Sequence, residues 1–416
     1  MLLTSVAKLS ATPRLAALES LQNPGYRDLL LTSVLSVMGT ESRLMAQAWL
    51  ILLLTNSDAA VGTTAGLPAI VAAMTALLGG VLVDRLERRA VLVVLRLAMA
   101  FVALLTALLV MAGSVQLWHL MALAFVVAVL HVSGATANQT LIVDIVPREQ
   151  LFGANALFSA ATNFGTILGP ALTGILLARL GVEYAFFFST LLFVGGAMAA
   201  ARIPAAPRTR SKIATSVWQD LVGGLRFVAQ TPVLQWLLLL GLSAVAIGSW
   251  LTLVPRYSLD FLDSGATGYG TILSTRGIGG LVGVVTLIAA GRIKRLGPIL
   301  LACALAFALL VVAFAYTRLM VIATALAFLL GIVFVWWPAT LRTAFQLSTT
   351  DEMRGRVMSL FTLIGQILTM GWLVGGLLSE SVGPQNAMLV VAAFCAALNL
   401  LAYLCSTALR KLGTEA

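Results

Sequence analysis

Long, uninterrupted apolar runs recur along nearly the whole chain and are separated by short polar intervals. The runs do not alternate apolar and polar residues, as the strands of a membrane β-barrel do. A helix of about 20 apolar residues crosses the roughly 30 Å hydrocarbon core of a bilayer. The pattern therefore predicts twelve transmembrane helices, at residues 29–53, 61–83, 90–112, 117–140, 154–179, 183–202, 233–255, 268–290, 298–316, 319–341, 357–379 and 385–408.

The longest polar interval, rich in arginine and proline, separates the first six runs from the last six. It predicts a linker that carries a short amphipathic helix near 217–227. The expected fold class is an all-α membrane protein with two pseudo-symmetric six-helix bundles. The predicted units are an N-terminal segment at 1–28, a bundle at 29–202, a linker at 203–232, a bundle at 233–408 and a tail at 409–416.

Composition supports a chain that faces lipid. Hydrophobic residues make up 60% of the chain and charged residues 10%, whereas soluble domains carry about 25% charged residues. The net charge is +10, and most Lys and Arg residues fall in the tails and loops on one side of the predicted helices. Because such loops stay in the cytoplasm, both termini and the linker are predicted to be cytoplasmic. The positive charge then requires no nucleic-acid partner.

The chain lacks the common patterns of cofactor and metal sites. Cys303, Cys395 and Cys405 form no C-x-x-C pair, and the two histidines, His119 and His131, form no H-E-x-x-H. No lysine follows a glycine, which excludes a Walker A loop. No nucleophile–base set is present either. We therefore expect no cofactor, no metal and no enzymatic activity.

A dense charge cluster, GVLVDRLERR at 80–89, separates the second and third runs. Its carboxylate can accept charge-assisted hydrogen bonds, and its arginines can bind carboxylates or helix C-termini. Contacts that form in only one conformation bias a two-state equilibrium, so the cluster is a candidate conformational latch. Charge that only sets topology is the alternative. The candidate latch residues are Gly80, Asp84, Arg85, Arg88 and Arg89.

The fifth run contains small residues four apart and an internal proline. Such small residues let helices pack closely in lipid, and proline removes a backbone hydrogen bond. Ordinary helix packing would explain the glycines alone, whereas glycine and proline together favour a dedicated motif. Its residues are Gly165, Gly169, Pro170 and Gly174.

These stretches resemble motifs of the major facilitator superfamily. Residues 80–89 resemble its G-x-L-x-D-R-x-x-R-R loop, and residues 165–174 resemble the G-x-x-x-G-P-x-x-x-G motif of its exporters. Residues 144–157 are similar to a stretch of the enterobactin-exporter and macrolide-efflux group. The resemblance implies a monomeric efflux transporter of the bacterial inner membrane that exports amphipathic small molecules. Alternating access and proton antiport are implied as well.

Charged residues inside the predicted spans are candidates for coupling or substrate binding, because a charge at mid-bilayer is costly unless it faces a cavity or a partner. Glu41 is a proton-coupling candidate or a carboxylate paired with another helix. Arg276 is a counter-ion to Glu41, an anion-binding residue or a structural cation. Arg43 lies two residues after Glu41, a spacing that does not favour an ion pair on a helix. His131 either titrates or is a hydrogen-bonded core residue.

Aromatic residues of the tenth run offer a further candidate feature. Trp336 and Trp337 either line a cavity, together with Phe334, or pack against neighbouring helices. Trp49, Trp118 and Trp250 lie near the ends of predicted spans and indicate an interfacial belt. Other functions stay open: a dedicated siderophore or lysophospholipid carrier, and a membrane scaffold or sensor that transports nothing.

Overall fold

The computed structural model describes residues 20–68, 87–147, 150–204, 217–291, 295–350 and 353–412. Within these ranges the chain is helical and forms no strand. The helices are α1 Pro24–Thr55, α2 58–68, α3 Arg88–Met111, α4 Leu117–Ile145, α5 Leu151–Arg179, α6 Val182–Arg202, α7 Val217–Gln230, α8 Pro232–Phe261, α9 Gly265–Ala290, α10 Leu296–Tyr316, α11 Met320–Leu347, α12 Arg354–Val382, α13 Pro384–Cys405 and α14 Thr407–Lys411.

Each of the twelve predicted spans overlaps one of these helices, and the predicted all-α class is confirmed. Eight helices are long and apolar enough, within the described residues, to cross a membrane. The first helix begins before the predicted 29, because Asn23 caps it and Pro24 is at its first position. The Asn23 side chain accepts a hydrogen bond of 2.9 Å from the Gly25 N–H.

Helices α1–α6 form one half of the molecule and α8–α13 the other. In the first half α6 packs against α1 and α3, and in the second half α12 packs against α8 while α9 packs against α11. The helices of each half are joined in pairs by short turns at one end, which we call the short-loop end. Helix α7 connects the halves at the opposite end, the linker end.

The halves meet through α5, which lies between α1 of its own half and α9 of the other half. Gly165 and Gly169 serve the first contact: a Cβ on Gly169 would lie 3.0 Å from the Met38 carbonyl oxygen. Gly174 serves the second, where a Cβ would lie 3.0 Å from the Cα of Gly270. Glycine is needed at these positions because the backbones of neighbouring helices approach each other closely.

Helix α12 repeats this arrangement in the second half. A Cβ on Gly371 would meet the Val245 carbonyl and lie 3.0 Å from the Cα of Gly248, both on α8. Gly376 lies instead against α2 of the first half, where a Cβ would be 2.9 Å from the Cα of Gly62. Helices α5 and α12 therefore occupy equivalent positions in the two halves, as expected for pseudo-symmetric bundles.

Helix α8 is interrupted at Leu242–Ser243, between the α-helical stretches Pro232–Gly241 and Ala244–Arg256. The side chain of Asn399 on α13 donates hydrogen bonds to the Ser243 hydroxyl at 2.7 Å and to the Cys395 carbonyl at 2.8 Å. Both Asn399 and Ser243 are buried. The interruption is thus held by a polar contact inside the second half.

Candidate functional site

Glu41 lies on the side of α1 that packs against α5. A Cβ on Gly169 of α5 would lie 3.1 Å from the Cβ of Glu41. The neighbouring Ser42 hydroxyl donates a hydrogen bond to the Gly169 carbonyl at 3.4 Å. The side chain of Glu41 is half-buried. Small residues on α5 therefore bring a carboxylate to the place where the two halves meet.

Arg276 reaches the same region from α9 of the other half. Its neighbour Gly277 packs on Ile167 of α5, where a Cβ would lie 2.7 Å from Ile167 Cγ1. The charges of Arg276 and Glu41 interact across the interface, and both side chains are half-buried. The guanidinium carbon of Arg276 lies 5.3 Å from the centre of the Phe334 ring on α11, within the range of a cation–π interaction.

Tyr269 is a member of this site that the sequence analysis missed. It lies on α9 seven residues before Arg276, which is about two helical turns and hence the same face. Its side chain is 2% exposed, its phenol interacts with the charges of Glu41 and Arg276, and its ring stacks on Trp49 at 6.1 Å. Two polar residues two turns apart on an apolar helix were the signal that could have found it.

Trp49 and Trp250 are not interfacial, which corrects the prediction for these two residues. Trp49 is 6% exposed and Trp250 is fully buried, whereas Trp118 is 61% exposed. Trp250 packs edge-on against Phe314 and Phe334 at 5.5 and 6.0 Å. Position near a helix end does not reveal which face of the helix a residue occupies, so the sequence pattern misled here.

Arg43 occupies a different face of α1 from Glu41. It follows Gly39 by one turn, and Gly39 contacts α6, where its carbonyl accepts a 2.8 Å hydrogen bond from the Ser189 hydroxyl. Arg43 is 5% exposed and donates to the side-chain oxygen of Gln47. The structure therefore separates Arg43 from Glu41, with Arg43 inside the first half.

Arg96 on α3 is a second buried cation of the first half, and the sequence analysis did not single it out. It is 8% exposed. Among the described residues, neither its Nε nor that of Arg43 has a hydrogen-bond partner. Burying a charge is costly, so both residues are candidates for a role other than packing.

The charge cluster at 80–89 lies mostly outside the described residues, which exclude Gly80, Asp84 and Arg85. Arg88 and Arg89 begin α3 at the linker end, and the side chain of Arg89 is half-buried. His131 lies on α4, and its side chain is outside the described part of the chain, as is that of Arg88.

The two tryptophans of the tenth run occupy different environments on α11. Trp337 is 4% exposed and belongs to the largest hydrophobic core, to which both halves contribute. Trp336 is more accessible, and its indole N–H donates a 3.0 Å hydrogen bond to the Thr286 hydroxyl on α9. Trp336 is therefore bonded to α9, whereas Trp337 packs in the core.

No group of three or more metal-ligating side chains occurs within the residues that the structure describes.

Pro170 of the fifth-run motif lies at the same contact as Gly174: its carbonyl oxygen would be 2.7 Å from a Cβ on Gly270. The motif thus packs α5 against both α1 and α9, beside Glu41 and Arg276. One carboxylate and one guanidinium, each half-accessible, are what the site offers for proton transfer and ion pairing.

The chain is similar to known transport proteins over most of its length. It is 27% identical over 381 residues to the multidrug efflux pump Tap of Mycolicibacterium fortuitum, covering 87% of this chain and 91% of that protein. It is 24% identical over 347 residues to the enterobactin exporter EntS of Salmonella typhi, covering 82% of each.

Two solved structures share the fold. The nucleoside transporter NupG superposes with a TM-score of 0.74 at 15% identity, covering 91% of this chain and 98% of that one. A bacterial homologue of the human lysosomal transporter Spinster, in an inward-facing and unoccupied conformation, superposes with a TM-score of 0.72 at 15% identity, covering 93% and 98%. The model of the transmembrane secretion effector family, MFS_3, matches residues 15–415. The chain therefore belongs to the transmembrane secretion effector family of the major facilitator superfamily.

Proposed function

We propose that this protein exports amphipathic small molecules of the drug or siderophore type by proton antiport. The observation that carries the proposal is the position of Glu41 and Arg276, which come from opposite halves and flank α5, near enough for their charges to interact. Ionisable residues inside a membrane protein are costly and therefore mark pathways for substrates or protons. The similarity to a multidrug efflux pump and an enterobactin exporter supports the substrate class.

The arrangement of the helices supports a state that is open at the linker end. The close backbone contacts between halves that the structure describes lie toward the short-loop end, at Gly62–Gly376 and Gly174–Gly270. Positively charged loops assign the linker end to the cytoplasm, so both termini are cytoplasmic in this proposal. The proposed state is of the same kind as that in which the Spinster homologue was solved, inward-facing. We place the protein in the bacterial inner membrane as a monomer.

Transport in this proposal alternates between two states, as the units at 29–202 and 233–408 move against each other. Protonation of Glu41 from the outer side would remove its charge and weaken its attraction to Arg276. Release of that proton to the cytoplasm would restore the attraction. A substrate that binds only while Glu41 is deprotonated would be exchanged for the proton, which is the requirement of antiport.

The proposal is tested by dye transport in inside-out vesicles, with and without an imposed pH gradient. Wild-type protein should accumulate dye only with the gradient, and Glu41→Gln should lose this accumulation at normal expression. Glu183→Gln is a matched control, because Glu183 lies in the first turn of α6 and away from the site. Gradient-driven transport that survives in Glu41→Gln would remove Glu41 from the coupling step.

A dedicated siderophore carrier is a second candidate, favoured by Arg276 and its neighbour Phe334. A guanidinium beside an aromatic ring suits an anionic aromatic ligand. The same vesicles distinguish the two: export of a catecholate siderophore without any dye transport would support the dedicated carrier.

A further inference from the structure

Arg256, at the outer part of α8, binds the turn between α1 and α2 of the other half. Its Nε donates to Asp58 Oδ1 at 3.0 Å. Its two terminal nitrogens donate to the side-chain oxygen of Asn56 at 2.6 Å and to the Asn56 carbonyl at 2.7 Å. Each of the three guanidinium nitrogens thus donates at least one hydrogen bond to the opposite half at the short-loop end.

Helix α12 holds the same turn from a second direction. The Ser379 hydroxyl donates to Asp58 Oδ2 at 2.5 Å. The Glu380 carboxylate accepts from the Ser57 hydroxyl at 3.0 Å and from the Ala59 N–H at 3.4 Å. A carboxylate at a helix N-terminus is stabilised by the helix dipole, so Glu380 suits the start of α2. We call Asn56, Asp58, Arg256, Ser379 and Glu380 the outer cluster.

The turn is shaped to present these groups. Asn56 ends α1 in the left-handed conformation, with φ 49°, which asparagine adopts more readily than most residues. Its carbonyl and its side-chain oxygen then both face Arg256. The contact is therefore built into the backbone of the first half.

Burial makes the ion pair of the outer cluster significant. The side chains of Arg256 and Asp58 are 12% and 6% exposed. A buried pair is strongly destabilised when one partner is removed, because the other charge is left uncompensated. Asp58 also lies one turn before Gly62, so the ion pair is next to the close backbone contact between α2 and α12.

Arg256 also forms an ion pair within its own helix, which does not depend on contact between the halves. Asp260, one turn on, lies 3.1 Å from Arg256 Nη1 and its side chain is 42% exposed. When the halves separate, Arg256 keeps this partner and Asp58 gains access to water. The cost of breaking the pair is thereby limited, as a reversible contact requires.

We propose that the outer cluster is the latch that holds the short-loop end closed, and that its release is a step toward the state open at that end. The inference rests on the proposed alternating access. It assigns a role to Asp58 and Arg256, which lie at the opposite end of the molecule from Arg88 and Arg89 at the start of α3.

Distances between spin labels test the proposal directly. In a background with Cys303, Cys395 and Cys405 replaced by alanine, labels at Ser114→Cys and Asn386→Cys report the short-loop end. Both positions are exposed and lie on opposite halves. Labels at Ala201→Cys and Thr350→Cys report the linker end.

Asp58→Asn and Arg256→Gln should each raise the ratio of long to short distances at the short-loop end, by about 5- to 150-fold for a typical coupling free energy.

The double variant and a matched control decide whether the pair itself is responsible. Asp58→Asn with Arg256→Gln should open the short-loop end no more than either change alone, since both remove the same contact. Asp260→Asn removes a contact of Arg256 within its own half and should leave the distances of the closed state in place. Unchanged distributions in both single variants, or additive effects in the double variant, would overturn the latch.

Failure of the transport proposal and failure of the latch proposal give different experimental results. If the label distances respond as expected but no dye or siderophore is transported, the latch stands and the transport proposal fails. If transport is gradient-driven but the label distances ignore Asp58 and Arg256, the latch fails and the transport proposal stands. Misfolded variants are recognised because both label pairs then give broad distributions without defined distances, whereas opening of the short-loop end shifts the linker-end pair to a defined shorter distance.

Discussion

Gly174 of α5 and Gly270 of α9 pack backbone to backbone where the two halves meet. A Cβ on Gly270 would lie 2.9 Å from the Cα of Gly174 and 2.7 Å from the carbonyl oxygen of Pro170. Both distances are shorter than normal contacts with a Cβ, and the opposing atoms are backbone atoms that cannot rotate away. A single methyl group at this position must therefore push the halves apart.

Gly270→Ala should reduce transport several-fold and lower thermal stability in detergent. Gly280→Ala is the control on the same helix, because its Cβ would meet nothing closer than 3.7 Å. Alanine favours a helix by about 1 kcal/mol over glycine, so Gly280→Ala should be neutral or stabilising. Equal behaviour of the two variants in a thermal unfolding assay would contradict the packing argument.

Arg276→Gln should destabilise the protein more than the double change Glu41→Gln with Arg276→Gln. The single change leaves a carboxylate without its opposite charge, whereas the double change removes both charges. The loss should fall below the 3–5 kcal/mol of a fully buried pair, roughly, because both side chains are half-buried. Thermal unfolding of the purified variants measures the difference, and gradient-driven transport should be lost in all of them.

Tyr26→Phe should lower the free energy of unfolding by about 1 kcal/mol. The fully buried Tyr26 hydroxyl donates a 2.6 Å hydrogen bond to the Ala154 carbonyl, which joins α1 to α5 at the linker end. Tyr184→Phe is the same change at a side chain that is 47% exposed, and it should have little effect. Chemical denaturation in detergent compares the stabilities of the two variants. A Tyr26→Phe protein as stable as wild type would contradict this prediction.

Asn399→Ala should destabilise the interruption in α8 by about 1–3 kcal/mol, because it leaves the buried Ser243 hydroxyl without this partner. Asn386→Ala provides the control: Asn386 makes the same type of bond, to the Val382 carbonyl four residues earlier at the turn between α12 and α13, but it is exposed and lies away from α8. Hydrogen exchange at 242–246 should increase in the first variant only. Protection that is the same in both would show that the interruption does not depend on Asn399.

Much of the architecture could be predicted because lipid imposes a simple rule on the chain. Backbone polar groups in the bilayer must be paired, so apolar runs of about 20 residues become helices. The motif at 165–174 was predicted to pack closely, and Gly174 does so against Gly270. The ends of helices were harder to predict, as α4 and α11 continue past their apolar runs into polar residues.

The residues that form the candidate sites could not be predicted, because this depends on how each helix is rotated about its axis. The pattern of apolar and polar residues does not give that rotation. Glu41 and Arg43 are two residues apart, yet one faces α5 and the other lies one turn from the contact with α6. Trp49 and Trp118 both lie near helix ends, yet one is buried and the other exposed. In an almost uniformly apolar helix, no polar face marks which side meets lipid and which side meets protein.

The amino-acid sequence by itself determined the helical class, the twofold division of the chain and the presence of charged residues that a membrane protein does not carry without cost. Tertiary structure decided which charges lie near each other: Glu41 and Arg276 flank α5, and Asp58 forms an ion pair with Arg256. The reason is physical. Hydropathy is a local property of each segment, whereas a pair 198 residues apart depends on how two bundles pack through their glycine contacts.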